Sequence, residues 1–464
     1  MKQMTERMKK LLFRAAAFCA VLSVFSCSHE ADFRGTAVDG YENRWTTVIY
    51  MAADNDLEGA AIDDLREMVS GAAGLQKARH TVLVLLDRAA GYSSAAGNWT
   101  DTRLFKLEPS ADSESDDFSF MQIDCRQLGL SRSSQTELDM AAPETLKGVL
   151  QFAQSRYSAG NYALVIWGHG CGWRGYAVDE ASDGIMTLPL LHEAVSDLER
   201  PLSVIAFDCC YGAMLETAYE LRHDARFFVA TERDEPAAGW NYTYFLQNLS
   251  QKADGEEENS AAEWYARCAV NAFGRQYASS RDTSITAIRL SETDEVFNCF
   301  EGFSRACAAA VSSRNAAIAF SSDVLGMAAS YLTGEYPAYR FADIDSLAAC
   351  FLSDRLPEGT AVHVAEAEVQ AEALRQALLQ ATLVSFTGGA GFQTGLSATP
   401  LLAVYVATVR TGGVVEADYP QLYVRGSGIA GQSAFVRDST GWVPQFTVTQ
   451  STSLLDTLYR KVLP

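Results

Sequence analysis

Tyr162–Trp173 reads YALVIWGHGCGW and Leu202–Cys210 reads LSVIAFDCC. Each is a continuous apolar run that breaks off into glycine, acidic or reactive residues, the pattern of a strand buried on both faces and followed by a turn. Two runs of the same kind stand upstream: Trp45–Ala53 (WTTVIYMAA), ending in Asp54-Asn55-Asp56, and Thr81–Leu86, ending at Asp87-Arg88. Phe227–Ala230 is a fifth, shorter one. Amphipathic helical segments lie between them: Leu57–Val69, with Leu57, Ala61, Leu65 and Met68 on one face, then Pro143–Tyr157 and Leu188–Leu198, with Ala213–Arg222 after Cys210. Buried strands alternating with amphipathic helices predict a mostly parallel sheet covered on both faces, an α/β/α sandwich of three layers.

In an open parallel sheet, ligands bind beyond the carboxyl ends of the strands. His169 stands at one such end and Cys210 at the next, so an acid/base candidate and a nucleophile candidate would face one crevice, as a thiol hydrolase requires. A helix starting just after Cys210 would aim its N-terminal dipole at the sulfur and favour thiolate. Gly212 beside it would permit a close turn and leave space for a substrate carbonyl. Pattern alone leaves both reactive residues open to purely structural roles. A metal site built from His169, Cys171, Cys209 and Cys210 matches no closed zinc spacing.

These residues resemble the clostripain family of cysteine peptidases, whose caspase-like fold is shared with caspases, legumain and gingipains. Trp45–Leu57 is similar to the family's opening strand, Tyr162–Trp173 to its histidine motif, Phe207-Asp208-Cys209-Cys210 to its Asp-x-Cys nucleophile motif, and Thr231–Tyr242 (TERDEPAAGWNY) to a loop that walls the pocket. Weaker similarities continue at Gly395-Leu396-Ser397 and Ser439–Trp442. The resemblance implies that Cys210 is the nucleophile and that His169 protonates the leaving amine. It also implies an oxyanion hole from the backbone N–H groups of Gly170 and Cys210. Asp208 matches the acid at the base of the specificity pocket, so cleavage after Arg, with Lys second, is expected; its alternative reading is a helix N-cap. Cys209 stands where a small residue such as alanine is expected, and a Cys209–Cys210 or Cys171–Cys210 disulfide would block the nucleophile. Asn241 stands where an acid or another polar residue is expected, which predicts a less acidic pocket. Between His169 and Cys210, Arg174 and Arg200 are the only Lys or Arg residues, and Pro201 follows Arg200. The chain is therefore expected to work uncut or to be cut elsewhere. Some members of the family depend on calcium; no EF-hand-type spacing names ligands here. The contrasting reading is a catalytically inactive surface lipoprotein that uses the same fold for binding.

The rest of the 464-residue chain agrees with a large globular protein: 48% of positions are hydrophobic and 20% charged, which excludes a disordered or collagen-like chain. The net charge is −21. The first 26 residues carry Lys2, Arg7, Lys9, Lys10 and Arg14 against Glu6, so the remainder stands at −25. Such acidity argues against nucleic acid as a partner. Met1–Arg14 is a basic head and Ala15–Phe25 an apolar run about half the length of a membrane span. With Ser26-Cys27 after it, this resembles a bacterial lipobox, so Cys27 is the expected acylation site. The expected organisation is a lipoprotein signal over 1–26, a polar tether over 27–44, a catalytic domain over 45–290 and a C-terminal subdomain over 291–464. That subdomain is read as mainly helical (Glu295–Ser312, His363–Leu383) with terminal strands that could return to the main sheet. The expected location is the cell envelope, anchored by acyl chains at the outer membrane on its periplasmic or surface side.

Overall fold

The computed structural model describes residues 41, 43–110, 117–133, 135–251, 258–280, 283–310, 341–352, 365–388, 399–405, 409–410 and 414–415. All fall within the unit Thr36–Pro464. The chain runs β1 (Asn43–Ala53), α1 (Glu58–Gly71), β2 (His80–Arg88), β3 (Arg103–Lys106), α2 (Pro143–Arg156), β4 (Ala159–Trp167), β5 (Tyr176–Asp179), β6 (Gly184–Met186), α3 (Leu188–Val195) and β7 (Leu202–Asp208). It continues through α4 (Leu215–Glu220), β8 (Ala225–Ala230), α5 (Tyr242–Leu249), α6 (Glu258–Gln276), β9 (Ser284–Arg289), α7 (Thr293–Ala310), β10 (Phe341–Asp343), α8 (Ile344–Leu352), α9 (Ala365–Ala381), β11 (Thr382–Thr387) and β12 (Ala403–Tyr405).

Eight strands form one sheet in the order β11-β9-β8-β7-β4-β1-β2-β3. The five central strands β8, β7, β4, β1 and β2 pair in parallel, while β3 at one edge and β9 and β11 at the other are antiparallel. The central strands read as unbroken apolar runs because each face meets its own helical layer. Val48, Tyr50, Leu164, Ile166, Ile205 and Phe207 pack with α2, α3, α4, α7 and α9. Their neighbours Ile49, Met51, Val165, Trp167, Val204 and Ala206 pack with α1, α5 and α6. The period of two along β7 then carries the Asp208 side chain to the α1/α5 face.

Local chemistry sets several element ends. Pro143 opens α2 at its first turn, where no N–H is needed. Asn241 caps α5 by accepting from the Tyr244 N–H (2.8 Å). Glu58 at the start of α1 pairs with Arg88 at the end of β2 (2.5 Å), both side chains fully buried, and Arg88 lies over the Trp99 ring at 4.6 Å. Removing one partner of such a pair costs about 3–5 kcal/mol, so it ties helix to strand end firmly.

Two sequence expectations differ from the structure. The helix expected over Ala213–Arg222 is confined to Leu215–Glu220, because Tyr211 N–H donates to Arg233 O and Ala213 N–H to Thr231 O, which holds the start of that segment extended. The helix expected to run to Leu383 ends at Ala381, where the Thr-, Val- and Phe-containing Thr382–Thr387 leaves it to become the edge strand β11. The described strand that joins the main sheet from the C-terminal region is therefore β11, whereas β12 pairs with β10. The expected signal, the tether to residue 40, and the motifs at Gly395–Ser397 and Ser439–Trp442 lie outside the described residues.

Candidate functional site

β4 and β7 are neighbours, and the residues leaving their carboxyl ends meet. A Cβ on Gly170 would collide with the carbonyl oxygen of Cys210 and lie 2.9 Å from Cys209 Sγ, so only glycine lets the two loops approach this closely. His169 and Cys210 consequently line one cavity of about 660 Å³, together with Asp56, Trp167, Asp208, Glu235, Pro236 and Gly239 among others.

Cys210 is partly buried, and its Sγ accepts from the Glu235 N–H (3.2 Å). Burial pushes its thiol up to about 11; the Glu235 amide pulls the other way, and Asp234 and Cys171 add to the rise. The expected dipole activation is therefore corrected. α4 begins five residues beyond Cys210, and burial rather than a helix terminus governs the thiol. The Gly212 expectation is corrected too. A Cβ there would lie 2.9 Å from Ala230 Cβ and 3.0 Å from Phe207 Cβ, so the residue serves packing beneath the sheet end and not substrate space. Cys209 also borders the cavity but is 3% exposed and packed in the core, with burial raising its thiol well above the ordinary value. All eight cysteines of the described residues are free thiols.

The His169 Nε2–H donates to Asp56 Oδ1 (2.6 Å), an arrangement that orients the ring and leaves Nδ1 for a reacting group. Asp56 was not singled out from sequence. Its signal was its place, two residues beyond the Asp54 that ends the apolar run of the strand adjacent to β4.

Beneath Cys210 lies a group of acids. Asp208 Oδ2 accepts from Tyr242 OH (2.6 Å) and Trp240 N–H (3.4 Å), and the Glu235 carboxyl group interacts with the Asp208 carboxylate. Asp64, from α1, accepts from Trp167 Nε1–H (2.7 Å). Gly239, at φ +49°, brings the loop so close that a Cβ would sit 3.0 Å from Asp208 Oδ2 and 3.1 Å from Asp64 Oδ2. Burial lifts Asp208 to about 6, against the hydrogen bonds from Glu235, Tyr242 and Trp240. Burial and then the Asp208 charge hold both Glu235 and Asp64 well above the carboxylate range, so this group of acids shares protons rather than carrying a full charge on each member. Asp208 caps no helix, because the N-cap position of α4 is Met214 and makes no side-chain cap. The expected loss of pocket acidity at Asn241 is also corrected. Asn241 caps α5 and donates to Gln276 Oε1 (3.2 Å), while Glu235 and Asp64 supply the acidity. Glu235 was within reach of sequence reading, since it lies in the pocket-wall loop. Asp64 was an acid on the apolar face of α1, between Ala61 and Met68.

A thiol and an imidazole at adjacent parallel strand ends, above an anionic floor, define a caspase-like α/β scaffold with a cysteine–histidine crevice. A sequence profile of the Clostripain family matches residues 49–355. The chain is 29% identical to clostripain of Hathewaya histolytica over 203 residues, 39% of this chain, and the match spans 36% of that relative's length. An inactive zymogen C11 protease from Parabacteroides distasonis shares 21% identity at a TM-score of 0.53, over 79% of this chain and 93% of that one. A secreted C11 cysteine protease from Bacteroides thetaiotaomicron, solved with an irreversible peptide inhibitor, shares 21% identity at 0.51, over 82% and 97%. At these identities the solved structures speak to the fold alone. The chain belongs to the clostripain family of cysteine peptidases.

Proposed function

We propose that this protein is an endopeptidase that cleaves after Arg, with Lys second, through Cys210 and His169, and that it is exported and lipid-anchored at Cys27. The observation that carries the specificity is the buried Asp208–Glu235 pair in the same cavity as Cys210. A guanidinium entering there would pair with Asp208 and release a proton shared by the Asp208–Glu235 pair, converting a costly acid pair into a charge-assisted one.

In this reading Cys210 Sγ attacks the scissile carbonyl, forming the C–S bond. The backbone N–H groups of Gly170 and Cys210 receive the developing oxyanion. His169, oriented by Asp56, delivers the proton from the thiol through Nδ1 to the leaving amine as the C–N bond breaks. Water, deprotonated by His169, then hydrolyses the thioester and restores the thiol. A thiol held near 11 suits this order, because the proton departs with the chemistry rather than beforehand.

The test offers the purified full chain, under reducing conditions, fluorogenic peptides ending in Arg, Lys, Leu or Asp. Arg-selective cleavage that survives Cys209→Ala and disappears in Cys210→Ala is expected. Cleavage that survives Cys210→Ala would overturn the nucleophile. A chain that cleaves nothing and whose Cys210 resists thiol reagents would be a binding protein instead.

A further inference from the structure

Three of the loops that build the Cys210 crevice bear on one small element from far along the chain. β10 and β12 pair with each other and stay outside the eight-stranded sheet. In the histidine loop, Gly172 stands three residues past His169, and a Cβ there would lie 2.5 Å from Phe341 Cζ. In the nucleophile loop, the Tyr211 ring directly after Cys210 packs on the Phe341 ring, with centroids 5.0 Å apart. Two residues on, Ala213 O accepts from the Ala403 N–H (2.9 Å), and Met214 bridges to Ala403. In the pocket-wall loop, the buried Glu232 carboxyl group interacts with that of Asp343, whose Oδ1 accepts from the Ser346 N–H (2.6 Å) near the start of α8.

Independently of these contacts, Tyr211 has φ +54°. A bulky residue occupies the left-handed region only where its surroundings hold it there, and such residues gather at functional sites. One hold is the Tyr211 N–H, which donates to Arg233 O (3.0 Å). The other is the ring contact with Phe341, both side chains being 1% exposed. In the facing loop Gly172 has φ +63°, which glycine adopts without strain. A single aromatic ring therefore touches both loops, beside the residues that would react. Phe341 does not line the crevice, so it can act only through those loops.

We propose that β10 and β12 are the seat on which the reacting pair is set, and that Phe341 is its positioning residue. The ring holds Tyr211 in the left-handed conformation and limits how far Gly172 can settle, which fixes the Cys210 thiol relative to the His169 ring. The catalytic unit then extends past residue 290, because its crevice is seated on a strand 130 residues beyond Tyr211. The proposal rests on the assignment of Cys210 and His169 as the reacting pair. Removing the ring should misplace that pair while the acids around Asp208 keep their own contacts with Tyr242 and Trp240.

The test compares the purified full-length wild type with Phe341→Ala and Phe341→Leu, each shown to be folded by circular dichroism and assayed well below its melting temperature. The substrate is whichever peptide the wild type cleaves best. Phe341→Ala should lower kcat roughly 10- to 100-fold and leave KM within about twofold. Phe341→Leu keeps much of the apolar bulk and should recover part of the loss. Alkylation of Cys210 by iodoacetamide, followed by peptide mass spectrometry, needs no turnover and decides the matter for a chain that cleaves nothing. It should quicken severalfold in Phe341→Ala as the loop loosens and burial is relieved. A ring that merely stabilises the core would lower the melting temperature and leave kcat and alkylation at wild-type rates, and that outcome overturns the proposal. So does a loss confined to KM. Wild-type cleavage that survives Cys210→Ala would instead overturn the nucleophile assignment, and the seat with it. If Phe341→Ala does not fold, Phe341→Leu decides by the same measurements.

Discussion

Under the proposed specificity, Asp208 would serve recognition at the expense of stability. Its folded value near 6 lies above that of an exposed aspartate, so the folded state favours the protonated form. Its contribution to stability is fully present at acid pH, below the ordinary carboxylate value, and is lost as the pH rises through about 6. Asp208→Asn is therefore expected to raise the melting temperature at pH 7.5, with the gain shrinking toward pH 5. The same change should lower kcat/KM for Arg-ended peptides at pH 7.5 by roughly 10- to 100-fold, the worth of a hydrogen bond to a charged group. An Asn variant with unchanged Arg cleavage would remove Asp208 from the pocket's role. This position was legible in sequence from its Asp-x-Cys spacing. Its partner Glu235 could be placed in the pocket-wall loop but not against Asp208, because 26 residues of intervening chain must fold before the two carboxyl groups meet.

Between elements, the decisive contact is where the β4 loop presses against the β7 loop at Gly170. Gly170→Ala would drive a methyl group into the Cys210 carbonyl and separate the imidazole from the thiol. Because a misplacement of about 1 Å in a reacting pair costs on the order of 100-fold, kcat should fall by that much. KM for Arg peptides should change little, since the Asp208 carboxylate is held independently by Tyr242 and the Trp240 N–H. A fall confined to KM would show that the loops relax around the methyl. At this scale the apolar runs announced the parallel strands well, since a strand buried on both faces has no other way to be written. The edge strands β9 and β11 and the early end of the helix at Ala381 were not announced. Their identity depends on what they pair with, and a six-residue apolar segment reads alike as strand or helix.

For the whole molecule, the sequence joins a basic N-terminus to an acidic body. No helix among the described residues is long and apolar enough to cross a membrane. Under the proposed anchoring at Cys27, the wild-type chain should partition into the detergent phase and incorporate labelled palmitate when expressed in a lipoprotein-processing bacterium. Cys27→Ser should move to the aqueous phase without label and keep its peptidase activity. A wild-type chain found wholly in the aqueous phase would remove the anchor.

Sequence alone determined the doubly covered parallel sheet and the order of its reactive loops, His169 before Cys210. Both are local properties: apolar continuity over one strand, and the residues that directly follow it. Tertiary structure alone decided that the Cys210 thiol is held up by burial rather than lowered by a helix, that Asp56 orients His169, and that Glu235 and Asp64 join Asp208 beneath Cys210. Those outcomes depend on desolvation and on charge separations of a few ångströms between residues far apart in the chain, and no stretch of sequence encodes either until the sheet has closed over its helices.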